Sequence, residues 1–167
     1  LGRETEVHMT LPLIGAIEAG GTKFVLAVAR ADGTILERSR LPTRNPGATM
    51  PQVVDFFRAA AGRHGPLAAI GIGSFGPLDI DPASPAYGTI GRTPKPGWSG
   101  ASCRAWLAPL GLPMTIDTDV NAAALGEWLA GAGQGADTLA YTTVGTGIGT
   151  GVVHWGRPLG GFGHYEA

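Results

Sequence analysis

Two glycine-rich segments separated by an acidic helix start constrain this chain of 167 residues more than any other feature. The first is Glu18-Ala19-Gly20-Gly21-Thr22-Lys23, and the second is Val144-Gly145-Thr146-Gly147-Ile148-Gly149-Thr150-Gly151. Between them lies Thr118-Asp119-Val120-Asn121-Ala122-Ala123-Ala124-Leu125-Gly126-Glu127. Glycine weakens both helices and strands, so this density marks tight turns or a close backbone approach to something. Two loops able to wrap phosphate and one carboxylate able to take a proton point to phosphoryl transfer from a nucleotide.

In the first segment, the apolar run Leu13 to Ile17 reads as a buried strand. Gly20-Gly21 lets the chain turn and bring N–H groups near an anion; Thr22 adds a hydroxyl and Lys23 a cation. Phe24 to Ala29 resumes the apolar run, and Asp32-Gly33 marks a turn before Thr34 to Arg40. The loop therefore joins two strands of a hairpin. A P-loop, whose Gly-Lys-Ser/Thr runs into a helix, is excluded. The bland alternative is a plain hairpin turn; Thr-Lys after two glycines favours phosphate. In the second segment, strands over 138–144 and 149–155 flank Gly145-Thr146-Gly147. Here the bland alternative is a turn with a bulge.

Met114 to Ile116 reads as a short strand, followed by Asp117, Thr118 and Asp119 and then a run of strong helix formers. Asp119 or Thr118 can be the N-cap, and most aspartates in such a place are only caps. A carboxylate at a strand-to-helix junction also sits where open α/β sheets bind ligands, and there it can accept a hydroxyl proton.

The remaining layout is strands near 13–18, 23–30, 34–41, 68–74 and 114–117, with helices near 49–62, 101–110 and 120–131. Val53, Phe56, Phe57 and Ala60 recur at helical spacing. The Gly/Pro-rich stretch 75–100 reads as a long connection of the kind that carries function. Its Trp98 either lines a pocket or packs on the core, and its Lys95 reads as a solvated charge. Gly71-Ile72-Gly73-Ser74-Phe75-Gly76 satisfies the dinucleotide-binding pattern, but Pro77 and further prolines leave no helix to receive a pyrophosphate, so that reading is rejected.

Taken together these motifs resemble the ROK family of sugar kinases, within the actin-like/hexokinase ATPase superfamily, and most of all its bacterial fructokinase-like members. Residues 15–24 resemble the family's first phosphate motif, with Glu18 where many members have Asp. Residues 71–77 and Tyr87-Gly88-Thr89-Ile90 resemble sugar-side segments, and Thr93-Pro94-Lys95-Pro96-Gly97-Trp98 a loop near the sugar pocket. Residues 119–127 resemble the segment holding the catalytic base, and residues 145–149 the second phosphate motif. The resemblance implies an α/β fold of the actin-like, ribonuclease H-like class, a mixed sheet with flanking helices. It implies an N-terminal domain over 13–118 and the start of a second over 119–167. Asp119 would be the general base. Gly20, Gly21, Thr22, Lys23, Thr146 and Gly147 would contact ATP phosphates, and Glu18 would sit near Mg2+ through water. Gly76, Pro77, Asp119 and Glu166 would bind the sugar, fructose being favoured over glucose or mannose. The family also implies a structural Zn2+, with ligands beyond residue 167, and allows a homodimer. The chain is expected to be the N-terminal portion of a kinase about twice as long, inert alone. Residues 1–8 are expected to precede a natural start at Met9. The alternative is a non-catalytic sugar-binding sensor of the same family.

Composition fits a cytoplasmic enzyme. Net charge is −1, which gives no electrostatic footprint for nucleic acid. No apolar run reaches the about 20 residues of a membrane span. Cys103 is the one cysteine, so there is no disulfide framework, and His8, His64, His154 and His164 show no paired metal spacing.

Overall fold

The computed structural model describes residues 11–145 and 147–160. Thr146 and Glu166, both expected in the site, lie outside the described residues. Strands β1 (Leu13–Ala19), β2 (Lys23–Arg30) and β3 (Ile35–Pro42) form an antiparallel meander. Strands β4 (Leu67–Ser74) and β5 (Met114–Thr118) add in parallel on the other side of β1, giving the order β3-β2-β1-β4-β5. The sheet is mixed, as expected. Period-two alternation sends Phe24, Leu26 and Val28 of β2 and Ile17 and Ala19 of β1 into the core.

Helix α1 (Pro46–His64) joins this core with Met50, Val53, Val54, Phe57 and Ala60. A Cβ on Gly15 would lie 2.8 Å from the Phe57 ring, so glycine there lets the helix close on β1. The helix begins three residues before the expected start at 49. Asn45 caps it, accepting a hydrogen bond from Ala48 N at 2.9 Å, and Pro46 occupies the first turn, where its missing N–H costs nothing. Pro46-Gly47 read alone resembles a loop.

The connection from 75 to 102 is ordered by its own aromatic residues. Trp98 is 1% exposed; it lies 5.6 Å from the Phe24 ring and 5.4 Å from the Phe75 ring, and its indole N–H donates to Arg44 O at 2.7 Å. This decides for core packing over pocket lining. The Tyr87 hydroxyl accepts from Ile116 N and bonds Ile116 O, at 2.7 and 3.1 Å, and so satisfies the outer edge of β5. No helix follows β4 directly, which agrees with rejection of the dinucleotide reading. The helix expected over 101–110 is shorter: α2 (Cys103–Leu107) gives way to a 3₁₀ turn at Ala108–Leu110. Pro109 lacks the N–H that a continuing α-helix needs.

Helix α3 (Asp119–Ala130) leaves β5 and leads to a second, antiparallel sheet of β6 (Thr138–Val144), β7 (Ile148–His154) and β8 (Arg157–Pro158). β8 was not anticipated. Trp155 at φ 48° and Gly156 at φ 73° form the left-handed pair of a tight hairpin, so β7 stops at His154. α3 packs against both sheets, touching β4 and β5 on one side and β6, β7 and β8 on the other. Among the described residues no helix is long and apolar enough to cross a membrane.

Candidate functional site

The first glycine-rich segment folds as the β1–β2 loop. Gly20 N–H bonds Lys23 O at 3.0 Å, and a Cβ on Gly20 would meet that same oxygen at 2.7 Å, so only glycine fits. The loop's three carbonyls are each engaged from elsewhere. Gly20 O accepts from the Thr43 hydroxyl at 2.7 Å, and Thr22 O accepts from Thr43 N at 2.9 Å. Gly21 O accepts from the Lys95 ammonium, which also lies 5.5 Å from the Phe75 ring centroid. Lys95 is therefore half-buried and bonded, in contrast to the solvated charge expected from sequence.

The second segment splits into two functions. A Cβ on Gly151 would lie 2.3 Å from Val120 O, and one on Gly149 would lie 3.1 Å from Val120 Cγ1. These glycines let β7 press on the first turn of α3. Gly145 and Gly147 have open space around them, are exposed, and close a tight turn through Gly145 N to Gly147 O at 2.9 Å.

At the helix start, Thr118 takes the cap, its hydroxyl accepting from Asn121 N at 3.1 Å. Asp119 is the first helical residue, half-buried, and its carboxylate accepts from its neighbour Val120 N at 2.9 Å. A carboxylate in a first helical turn is also favoured by the helix dipole. Asp117 is occupied by Thr118 N and the Asn121 side-chain amide, at 2.7 and 2.8 Å.

These pieces converge. A cleft of about 480 Å³ is bounded by Gly21 and Thr22 of the first loop, Gly76 and Pro77 after β4, and Gly145 and Gly147 of the β6–β7 turn. Asp119 lines it, together with Arg92, Thr93 and Lys95. A second cavity of about 810 Å³ is lined by Glu18, Asp117, Asn121 and Tyr141, and again by Asp119. Asp119 thus borders both spaces. Gly20 and Lys23 line neither, and the Lys23 side chain is exposed. Sequence reasoning missed Arg92, Lys95 and Thr43. For the first two the available signal was a pair of cations inside a long Gly/Pro-rich connection; Thr43 carried none.

Such a cleft can grip an anion through loop backbone and cations while offering a carboxylate to a hydroxyl proton. Among the described residues no group of three or more His, Cys, Asp or Glu side chains could cage a metal. Glu18, on the wall of the second cavity, offers hard-oxygen chemistry that fits Mg2+ held mainly by substrate phosphates and water. It does not fit structural zinc. Cys103 is alone and buried, and burial pushes its thiol up to about 11, away from the thiolate that zinc takes.

A fructokinase from Zymomonas mobilis is 44% identical over 156 residues, covering 92% of this chain and 52% of that protein. The crystal structure of a ROK hexokinase from Thermus thermophilus aligns with a TM-score of 0.73 at 33% identity, over 91% of this chain and 50% of that one. A ROK family glucokinase from Streptomyces griseus, solved with glucose and AMPPNP, aligns with a TM-score of 0.73 at 31% identity, over 92% and 48%. The chain spans about half the length of the relatives it matches. Its mixed sheet with flanking helices is the actin-like ATPase fold of those hexokinases. The family model described as ROK matches residues 14–166, through both glycine-rich loops and the helix start between them, so this chain belongs to the ROK family.

Proposed function

We propose that the full-length protein carrying this chain transfers the γ-phosphoryl group of ATP to a hexose, fructose giving fructose 6-phosphate, with Asp119 as general base. The observation that carries this is the placement of Asp119. It borders both cavities at the junction of β5 and α3, one residue after the Thr118 cap.

In this reading the hexose hydroxyl gives its proton to the Asp119 carboxylate as its oxygen bonds to the γ-phosphorus. The bond from that phosphorus to the bridging oxygen breaks, and ADP leaves with the electron pair. The β1–β2 loop, through Gly21 and Thr22, and the second glycine-rich segment, through Gly147, hold the phosphates from two sides, so much of the rate comes from positioning. Glu18 would hold Mg2+ through water, and the ion would supply neutralisation of phosphate charge. Gly76, Pro77 and Glu166 contact the sugar. Zinc, if the protein uses it, takes ligands from outside the described residues. The protein works in the cytoplasm, where its ATP is. We divide the chain at 118/119, the junction that bears the base.

Fructose is favoured because the Zymomonas mobilis relative is a fructokinase, with glucose as the competitor that the Streptomyces griseus complex names. An ATP-coupled assay with fructose, glucose and mannose tests this on the full-length protein and on this chain alone. Turnover of fructose by the full-length protein and little by the 167-residue chain is expected, since phosphoryl transfer needs both ends of the donor held. Activity on glucose without fructose overturns the substrate assignment. Hexose binding without turnover replaces the kinase by a sugar sensor.

A further inference from the structure

We propose that Lys95 is a positioning residue for this chemistry, a latch that fixes the Gly20–Thr22 loop in the form that receives phosphate. The inference rests on the kinase reading above.

The loop that must grip an anion contains Gly20-Gly21, the pair with the greatest backbone freedom in the chain's first hairpin. Its shape is imposed from outside. Thr43 holds two of its carbonyls, those of Gly20 and Thr22, through hydroxyl and backbone N–H. The carbonyl between them, Gly21 O, is held by the Lys95 ammonium, which reaches across from the 91–100 connection. In a planar trans peptide the C=O and the next N–H point in opposite directions. Fixing Gly21 O therefore fixes where Thr22 N–H points, and anion-binding loops work by aiming successive N–H groups.

The latch is anchored at its other end. Lys95 O accepts from Trp98 N at 3.2 Å, Trp98 is buried, and Phe75 packs beneath the ammonium at 5.5 Å and against Trp98 at 5.4 Å. One side chain thus ties the phosphate hairpin to the cleft wall that carries Gly76 and Pro77. Gly21 is matched to it: a Cβ there would stand 2.6 Å from both Cε and Nζ of Lys95. Lys23, the lysine that the motif offers, is exposed and outside the cleft.

The test uses the full-length protein. Lys95→Met keeps the aliphatic stem and removes the donor; Lys95→Arg keeps a donor; Gly21→Ala displaces the ammonium without changing Lys95. Two readouts are taken, steady-state kinetics and amide hydrogen exchange at Gly21–Lys23 without nucleotide. Misplacing a phosphate-gripping loop by about 1 Å is enough for a loss of about 100-fold. Lys95→Met and Gly21→Ala should both lower kcat by about 10- to 100-fold, leave hexose affinity unchanged, and speed exchange at Thr22. Lys95→Arg should restore part of both. An active wild type whose Lys95→Met variant keeps wild-type kcat and exchange overturns the latch. A loss of kcat without faster exchange, or with hexose affinity lost in parallel, also overturns it. A wild type without ATP-dependent hexose phosphorylation overturns the kinase reading instead. In that case the exchange rates still decide whether Lys95 holds the loop, and Gly21→Ala decides it if Lys95→Met does not fold.

Discussion

Asp119 is the first residue of α3, one position after the Thr118 cap, and its carboxylate accepts from Val120 N while lining the cleft. Thr118 supplies the hydroxyl that satisfies Asn121 N, and the Asp119 carboxylate stands on the lining of the cleft. The two residues should separate cleanly by mutation. Thr118→Ala should lower unfolding stability by about 1 kcal/mol, the usual worth of a helix cap, whereas Asp119→Asn, which keeps an oxygen to accept from Val120 N, should lose only the helix-dipole part, about 0.3 kcal/mol. Equal destabilisation by both would make Asp119 part of the cap. At this scale the sequence was readable in kind and less so in detail. Asp119 stood out by its place after a strand, but Thr118 and Asp119 were equal candidates for the cap. The four glycines from 145 to 151 also looked alike. Gly149 and Gly151 turn out to make room for Val120, a contact between segments far apart in the chain that spacing alone does not encode. Lys95 looks solvated in the sequence because its partner, Gly21 O, lies 74 residues away.

Among the elements, the β1–β2–β3 meander and α3 were legible because each follows from local signals: Gly-Gly and Asp-Gly turns, period-two alternation, and an alanine-rich run after a cap. The connection from 75 to 102 was not. Its order comes from Trp98 reaching Arg44 O and Tyr87 bridging Ile116, neither of which has a local signature. Nor was the last turn of α1, where Glu37 on β3 binds Arg63 and His64. Hydrogen bonds from Arg63 and then His64 hold the Glu37 carboxyl below its ordinary pKa. A lowered folded-state pKa means that the unfolded chain binds the proton more readily. The stabilisation is therefore present above the unfolded-state value and is lost as pH falls through the folded-state value. Thermal unfolding of wild type and Glu37→Gln followed across the acid range should show two curves that merge as pH falls and separate toward neutrality. A difference that stays constant with pH would show that the carboxylate charge plays no part.

For the whole molecule, two sheets meet through α3, and loops from both line the cleft. One side brings the β1–β2 loop and the 75–77 segment, the other brings the β6–β7 turn, and the first residue of the connecting helix is the carboxylate between them. Both glycine-rich loops and the acidic helix start were visible in the sequence as separate pieces; what the fold adds is their convergence on one space. In the proposed reaction Asp119 takes the proton of the attacking hydroxyl there. The most direct test is kcat of Asp119→Asn in the full-length protein at saturating ATP and fructose. General-base catalysis is worth about 10²- to 10⁴-fold, and a loss of that size with fructose affinity retained is the predicted result. A variant that turns over at the wild-type rate would show that Asp119 is not the base.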